Sequence, residues 1–327
     1  MNRVKLAAFL AAIAMAAVAC TSTEGVGNRT NPDGGPPVPN GAGVVTGLPA
    51  PEADGSCGDP TKSLRPTGPP PGPGDLPPNS AMARIKARGK LIVGVDQNTY
   101  KFGYREASTG AIVGFDIDMA RQIAKAIFGT DENRLQLKVL TSAQRVPEVK
   151  TGKVDLVVQT MTINCERRKD VEFSSVYYLA GQRVLVKKDA DFTGIESLGG
   201  KKVCAAKGST SIARIVNAPS KPIGIGVDSW TDCLVMLQQN QVDAVSTDDT
   251  ILAGLRDQDP FTKLVGDPFS DEPYGMAISR TSPEFVRFVN SVLEQMRADG
   301  EWTRIYNRWL AGLLDTGSTQ PTAVYRD

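Results

Sequence analysis

From about Arg84 onward, short apolar runs alternate with amphipathic stretches, and that rhythm limits the fold more than any other feature of the chain. Leu91-Ile92-Val93-Gly94-Val95 is continuously apolar, as a strand buried on both faces requires. Phe115, Met119, Ile123 and Ile127 then recur every four residues, with Asp116 and Asp118 at the electropositive start and Gly129 as the stop of a helix. Residues 135–140 alternate as a strand, a short helix reaches Lys150, and residues 154–159 form the next strand. The second part repeats the rhythm, with strands at 202–206, 223–227 and 242–246. Ser229 caps a helix carrying Trp230, Leu234 and Leu237 on one face. Strand–helix alternation of this kind predicts two α/β lobes with mainly parallel sheets. The C-terminal piece, a strand at 274–279 and helices at 283–298 and 301–310, has no sheet of its own. It is expected to return to the first lobe, giving two crossings and a hinge.

Before residue 81 the chain has another character. Arg3 and Lys5 precede an apolar run at 6–18, too short to span a bilayer comfortably and typical of an export signal over residues 1–19. Ala17-Val18-Ala19-Cys20 looks like a lipobox, in which Cys20 becomes lipidated; the alternative is an ordinary cleaved signal with Cys20 incidental. Residues 21–80 hold 14 of the 22 prolines, 12 of the 32 glycines and no aromatic residue, a composition that predicts an unfolded tether over 20–80. A semi-extended spacer of that length would hold a domain tens of ångströms from a membrane. The expected address is therefore the outer face of the cytoplasmic membrane, reached by export and a lipid anchor.

The folded part has a net charge close to balance, since the whole chain carries only +1, which argues against nucleic acid as a partner. It contains no histidine, so a Ser-His-Asp triad and a His-ligated metal are excluded. No cofactor is expected, and the chain is expected to act as a monomer. Around the strand at 154–159, the sequence runs into Thr160-Met161-Thr162-Ile163-Asn164 and then Arg167. Fixed hydroxyl and amide groups at a strand end, followed by a planar guanidinium, are suited to holding a small carboxylate.

Segments spread over residues 84–312 resemble the family 3 solute-binding proteins, the extracytoplasmic receptors of polar amino acid ABC importers. They are Gly89–Val95, Gly114-Phe115-Asp116-Ile117-Asp118, Gly152-Lys153-Val154-Asp155, residues 162–167, Gly208-Ser209-Thr210-Ser211, Val242-Asp243-Ala244 and Glu272-Pro273-Tyr274-Gly275. The resemblance implies a type II periplasmic-binding-protein-like fold, two α/β lobes joined by a two-strand hinge with a ligand cleft between them. On this reading lobe 1 covers 81–186, lobe 2 covers 187–272, and 273–327 returns to lobe 1. It further implies that Arg167, Thr162 and Asn164 meet the α-carboxylate of an amino acid, with Ser209 and Thr210 reaching it from the other lobe. Asp248 and the carbonyl of Thr160 are implied for the ammonium. For the ligand side chain, Arg145, Lys101, Asp96 and Tyr104 are the candidates. Thr141–Pro147 resembles the glutamate/aspartate receptors of the family, so glutamate or aspartate is favoured over glutamine or asparagine.

Setting Cys20 aside leaves Cys57, Cys165, Cys204 and Cys233, an even set in an exported chain. Three pairings are possible. Cys204–Cys233, local to one lobe, with Cys57–Cys165 is the expected one, and four buried thiols are the alternative. The expected function is thus a binding protein that closes on its ligand and is read by an ABC permease, or by a transmembrane sensor. An enzyme resembling the cyclohexadienyl dehydratases, using Glu106, Asp96 or Asp248, is the less favoured alternative.

Overall fold

The computed structural model describes residues 36–51, 56–313 and 319–327; the expected leader, Cys20 and the start of the tether lie outside them. The first lobe is built on a five-stranded sheet in the order Leu135–Val139, Leu91–Val95, Leu156–Val157, Ala277–Ser279 and Val171–Phe173. The first three strands are parallel and the last two join antiparallel. Helix Phe115–Phe128 lays Phe115, Met119, Ile123 and Ile127 into the core, in the four-residue repeat read from the sequence. The C-terminal helices Pro283–Asp299 and Glu301–Trp309 close the same core through residues such as Phe285, Leu293 and Trp302.

The second sheet runs Gly43–Val44, Ile223–Val227, Lys202–Ala206, Ala244–Asp248, Tyr178–Lys187, Thr262–Val265. Its three middle α/β strands are parallel, and Tyr178–Lys187 enters antiparallel. Strand Tyr178–Lys187 belongs to both halves. Residues 178–181 pair antiparallel with Asp271–Tyr274, whereas 182–187 pair with Ala244–Asp248 and Thr262–Val265. These two antiparallel segments are the only sheet strands that lead from one lobe to the other among the described residues, and they form the hinge. The lobe boundary expected at 186/187 therefore falls within a strand already committed to the second sheet. After the hinge, Ala277–Ser279 returns to the first sheet.

The expected tether needs correction from Pro39 onward. Gly43–Val44 extends the second sheet on its edge, pairing antiparallel with Ile225 and Gly226, and Val45 and Leu48 pack on that lobe's core. Further along, Ser63–Leu64 pairs with Tyr325–Arg326, and Leu64 and Leu76 cover the first lobe. Low apolar content stops this segment from folding alone; it does not stop it from lying on an existing edge strand and core. Two disulfides are present, Cys57–Cys165 and Cys204–Cys233, each with Cα atoms 5.5 Å apart.

Candidate ligand-binding site

The strand ends of both lobes meet at Gly208. This residue has φ +75°, and a Cβ there would lie 2.6 Å from Ala143 Cα and 2.8 Å from Ala143 N of the opposite lobe. The lobes are thus in backbone contact, the closed form of a hinged pair. Two guanidiniums of the first lobe reach across to the same atom: Arg167 donates from Nη2 to Gly208 O at 3.2 Å, and Arg145 from Nη2 at 3.5 Å.

Arg167 is positioned by the short helix Cys165–Arg168, whose first turn is capped by Asn164 Oδ1 accepting from Arg167 N at 2.9 Å. Its Nη1 donates to Thr162 O at 2.5 Å. The site thus uses Asn164 to aim the arginine rather than leaving its amide free. Some of the arginine is solvent-accessible along its side, yet protein surrounds the guanidinium closely. Burial first, and then the Arg145 charge, push it down to about 9.

Arg145 is 3% exposed, with Nε on Ser142 O and Nη1 on Gln159 O, both at 3.0 Å. Burial lowers it to about 10, partly offset by the charges of Asp248 and Asp96. With one acceptor per nitrogen, two of its five N–H groups have no hydrogen-bond partner in these contacts.

Asp248 ends strand Ala244–Asp248 and is 4% exposed. The strand starts two residues later than the sequence suggested, which puts this carboxylate at its tip rather than past it. Tyr274 donates its hydroxyl to Asp248 Oδ2 at 2.6 Å, while burial and the charge of Glu272 hold Asp248 well above the usual carboxylate range. Asp249, its neighbour, accepts from Thr250 N at 2.7 Å and faces the hinge at Gly181.

Glu272 was quoted in the sequence motif without a role, and it proves central. It is fully buried on the hinge strand, where Oε2 accepts from Thr162 Oγ at 2.5 Å and Thr210 Oγ at 2.9 Å. Oε1 accepts from Arg214 Nη1 and from Ser270 Oγ, the latter at 2.8 Å. One carboxylate thereby ties the first lobe, the second lobe and the hinge. The signal was a glutamate inside a strand-like segment, a residue that is rarely buried unless paired.

The remaining candidates are less concentrated. Ser209 caps helix Thr210–Asn217, accepting from Ile212 N at 3.2 Å, so its hydroxyl is engaged with the helix. Thr160 adopts φ +40°, a left-handed conformation costly for a branched residue, and its N–H donates to Asp116 Oδ2 at 2.9 Å. Asp96 folds back on its own loop, accepting from Gln97 N at 2.7 Å, Asn98 N at 3.0 Å and Thr99 Oγ at 2.7 Å. Lys101 lies with Nζ 5.0 Å from the ring centre of Tyr100, and Tyr104 packs edge-on against Tyr100 and Trp309. Phe102 belongs to the core. Arg168, next to Arg167, faces away from the cleft candidates and is held by Pro60 O, Lys62 O and Glu172.

Chemically, the cleft presents two guanidiniums and threonine hydroxyls at one side and a buried carboxylate with a tyrosine hydroxyl at another. Among the described residues no group of three or more His, Cys, Asp and Glu is placed to hold a metal ion.

The model of the bacterial extracellular solute-binding proteins, family 3, matches residues 91–312. The ABC transporter glutamine-binding protein of Bacillus subtilis is 41% identical over 230 residues, which cover 70% of this chain and 84% of that protein. The glutamate-binding protein of Corynebacterium glutamicum is 31% identical over 66% of this chain and 77% of its own length. Among solved structures, an ancestral arginine-binding protein bound to glutamine superposes with a TM-score of 0.64 and 36% identity, covering 68% of this chain and 98% of that one.

Proposed function

The chain belongs to the bacterial extracellular solute-binding proteins, family 3, and from that premise we propose that it captures an acidic amino acid and delivers it to an ABC permease. One observation carries the reading: two cationic guanidiniums, Arg145 and Arg167, converge on the lobe contact at Gly208, and both feel the charge of the buried carboxylate Asp248. Glutamate and aspartate carry two carboxylates and one ammonium, the complementary set. On this reading Arg167 and the Thr210 end of its helix take the α-carboxylate. Asp248 and Thr160 O take the ammonium, and the two uncommitted N–H groups of Arg145 take the side-chain carboxylate. The two carboxylates of such a ligand also offset the mutual repulsion of Arg145 and Arg167, which favours closure around it. Glutamine and asparagine fit the same frame, with one charge pair fewer. Names of the relatives, glutamine-binding and glutamate-binding, support this class of ligand.

Export and lipidation at Cys20 belong to the same proposal, supported by the small residues before Cys20 and by the apolar run at 6–18. Calorimetric titration with all twenty amino acids tests the ligand. Glutamate or aspartate should bind tightest, and Arg167→Ala should weaken binding by about 2–5 kcal/mol, roughly 30-fold or more, without changing the circular dichroism spectrum. Equal affinity in the Arg167→Ala protein, or no heat from any amino acid, would overturn the assignment.

A further inference from the structure

Arg167, the residue on which ligand capture rests, stands on a helix of only four residues, Cys165–Arg168. A single turn has too few internal hydrogen bonds to hold its own shape, so its geometry is set by what it is fastened to. Glu166 and Lys169 pair with each other at 2.5 Å on the exposed side. Cys165 and Arg168 are turned toward the lobe, and both are fastened to one stretch of chain, residues 57–62. Cys165 is 4% exposed, belongs to the core cluster of Ile163, Val171 and Phe173, and is bonded to Cys57. Arg168 donates to Pro60 O at 2.6 Å and to Lys62 O at 2.8 Å, with its guanidinium over the Phe173 ring. The stretch is itself fixed to the first lobe. Asp59 Oδ1 closes a turn by accepting from Thr61 N at 2.9 Å and Thr61 Oγ at 2.6 Å. Ser63 Oγ donates to Phe173 O, and Asn290 Nδ2 donates to Ser63 Oγ and Leu64 O, each at 2.7 Å. Residues 57–64 thus splint the helix from behind, and the covalent end of the splint lies two residues before Arg167. The two disulfides also differ in access. Cys204 and Cys233 are both fully buried, whereas Cys57 is exposed.

We propose that the Cys57–Cys165 disulfide is a redox-responsive positioning device for Arg167. Intact, it holds the guanidinium where a ligand carboxylate meets it; opened by a dithiol reductant, it releases the helix and weakens capture. The inference rests on the reading of Arg167 as the carboxylate partner. A thiolate of the reductant attacks the sulfur of the exposed Cys57, the S–S bond breaks, and the Cys165 sulfur leaves as a thiolate that takes up a proton. The second thiol of the reductant then resolves the mixed disulfide. Cys57 is released as a thiol, the reductant departs as its own disulfide, and two electrons and two protons have passed to the protein. Exposed disulfides are the labile ones, and the sealed Cys204–Cys233 bond is out of reach of the same reagent. After opening, the Asn164 cap and the two Arg168 contacts remain, all of them hydrogen bonds that water can replace. The turn then frays, and Arg167 spends part of its time away from Thr162 O and Gly208 O. Apparent affinity falls with the fraction of time the arginine is in place.

The test uses the full chain in detergent in three forms: untreated, treated with dithiothreitol and alkylated with iodoacetamide, and Cys57→Ser. Mass spectrometry should find alkylation at Cys57 and Cys165 with the Cys204–Cys233 bond intact. Amide hydrogen exchange at residues 165–170, without ligand, should run several-fold faster in both the reduced protein and the variant. Glutamate affinity by calorimetry should fall about ten-fold in both, and dithiothreitol should lower it no further in Cys57→Ser. In an Arg167→Ala background, Cys57→Ser should cost no additional affinity, as a bond that acts through this arginine requires. Unchanged exchange at 165–170, an equal loss of affinity with and without Arg167, or Cys204–Cys233 opening first would each overturn the proposal. If glutamate binds to none of the forms, the amino acid reading fails. Faster exchange then still supports the splint and unchanged exchange still overturns it, so the two failures are distinct.

Discussion

Asp116 shows how one buried carboxyl group can set the pH behaviour of this site. It is almost inaccessible, accepts from Thr160 N and from the Tyr177 hydroxyl at 2.8 Å, and is raised to about 7 chiefly by burial. Two hydrogen bonds and the nearby Arg145 only partly offset that burial, and Asp96 opposes them. A carboxyl group whose folded pKa is raised is stabilising in its neutral form. Its contribution is whole below about pH 4 and is lost as pH climbs through 7. Asp96 and Asp248 are raised as well and act in the same direction. The melting temperature should therefore fall between pH 4 and pH 7, and Asp116→Asn should flatten that fall. An unchanged slope in the variant would show that Asp116 is not the group responsible. Thr160 makes the position worth keeping, because its left-handed backbone is held by that same carboxylate. Most site residues were legible one at a time, since guanidinium and hydroxyl groups at a strand end announce carboxylate chemistry. Asn164, Ser209 and Asp96 turned out to spend their polar atoms on local caps and turns. That competition is decided by backbone geometry, which residue type alone does not reveal.

At the scale of elements, the cleft depends on short segments that end at the right place. The helix Phe115–Phe128 and the strand Leu91–Val95 were readable because their periodicity is long and uninterrupted. The strand at 242–246 was displaced by two residues from its true span, Ala244–Asp248, because Val242 and Asp243 satisfy the alternation without joining the ladder. Strand Tyr178–Lys187 carries no continuous signal in the sequence, because Ala180-Gly181-Gln182 interrupts its apolar pattern just where it passes from hinge to sheet. The turn at Gly208 is the element on which closure rests. Gly208→Val would place a branched side chain against the backbone of Ala143, in a conformation that already disfavours it. Ligand affinity should drop by about 100-fold or more, which corresponds to roughly 3 kcal/mol. The ligand-free protein should stay folded, because the clash exists only when the lobes meet. Wild-type affinity in this variant would mean that binding does not require the closure seen here.

On the scale of the molecule, two α/β lobes meet at one seam and are joined by a two-strand hinge. The lobes and hinge followed from strand–helix rhythm together with the resemblance carried by seven short segments. The course of residues 39–51 and 56–65 did not, because a proline-rich segment takes its structure from the surfaces it meets and has no periodicity of its own. Glu272 lies at the back of the seam: its carboxylate holds Thr162, Thr210 and Arg214 from both lobes at once. The central claim is that this seam closes on an acidic amino acid held by three charged side chains. A crystal structure of the protein grown with glutamate tests it most directly. The account predicts the α-carboxylate on Arg167, the side-chain carboxylate on Arg145 and the ammonium on Asp248, with Gly208 against Ala143. Glutamate absent from the closed cleft, or bound with neither carboxylate on an arginine, would contradict it.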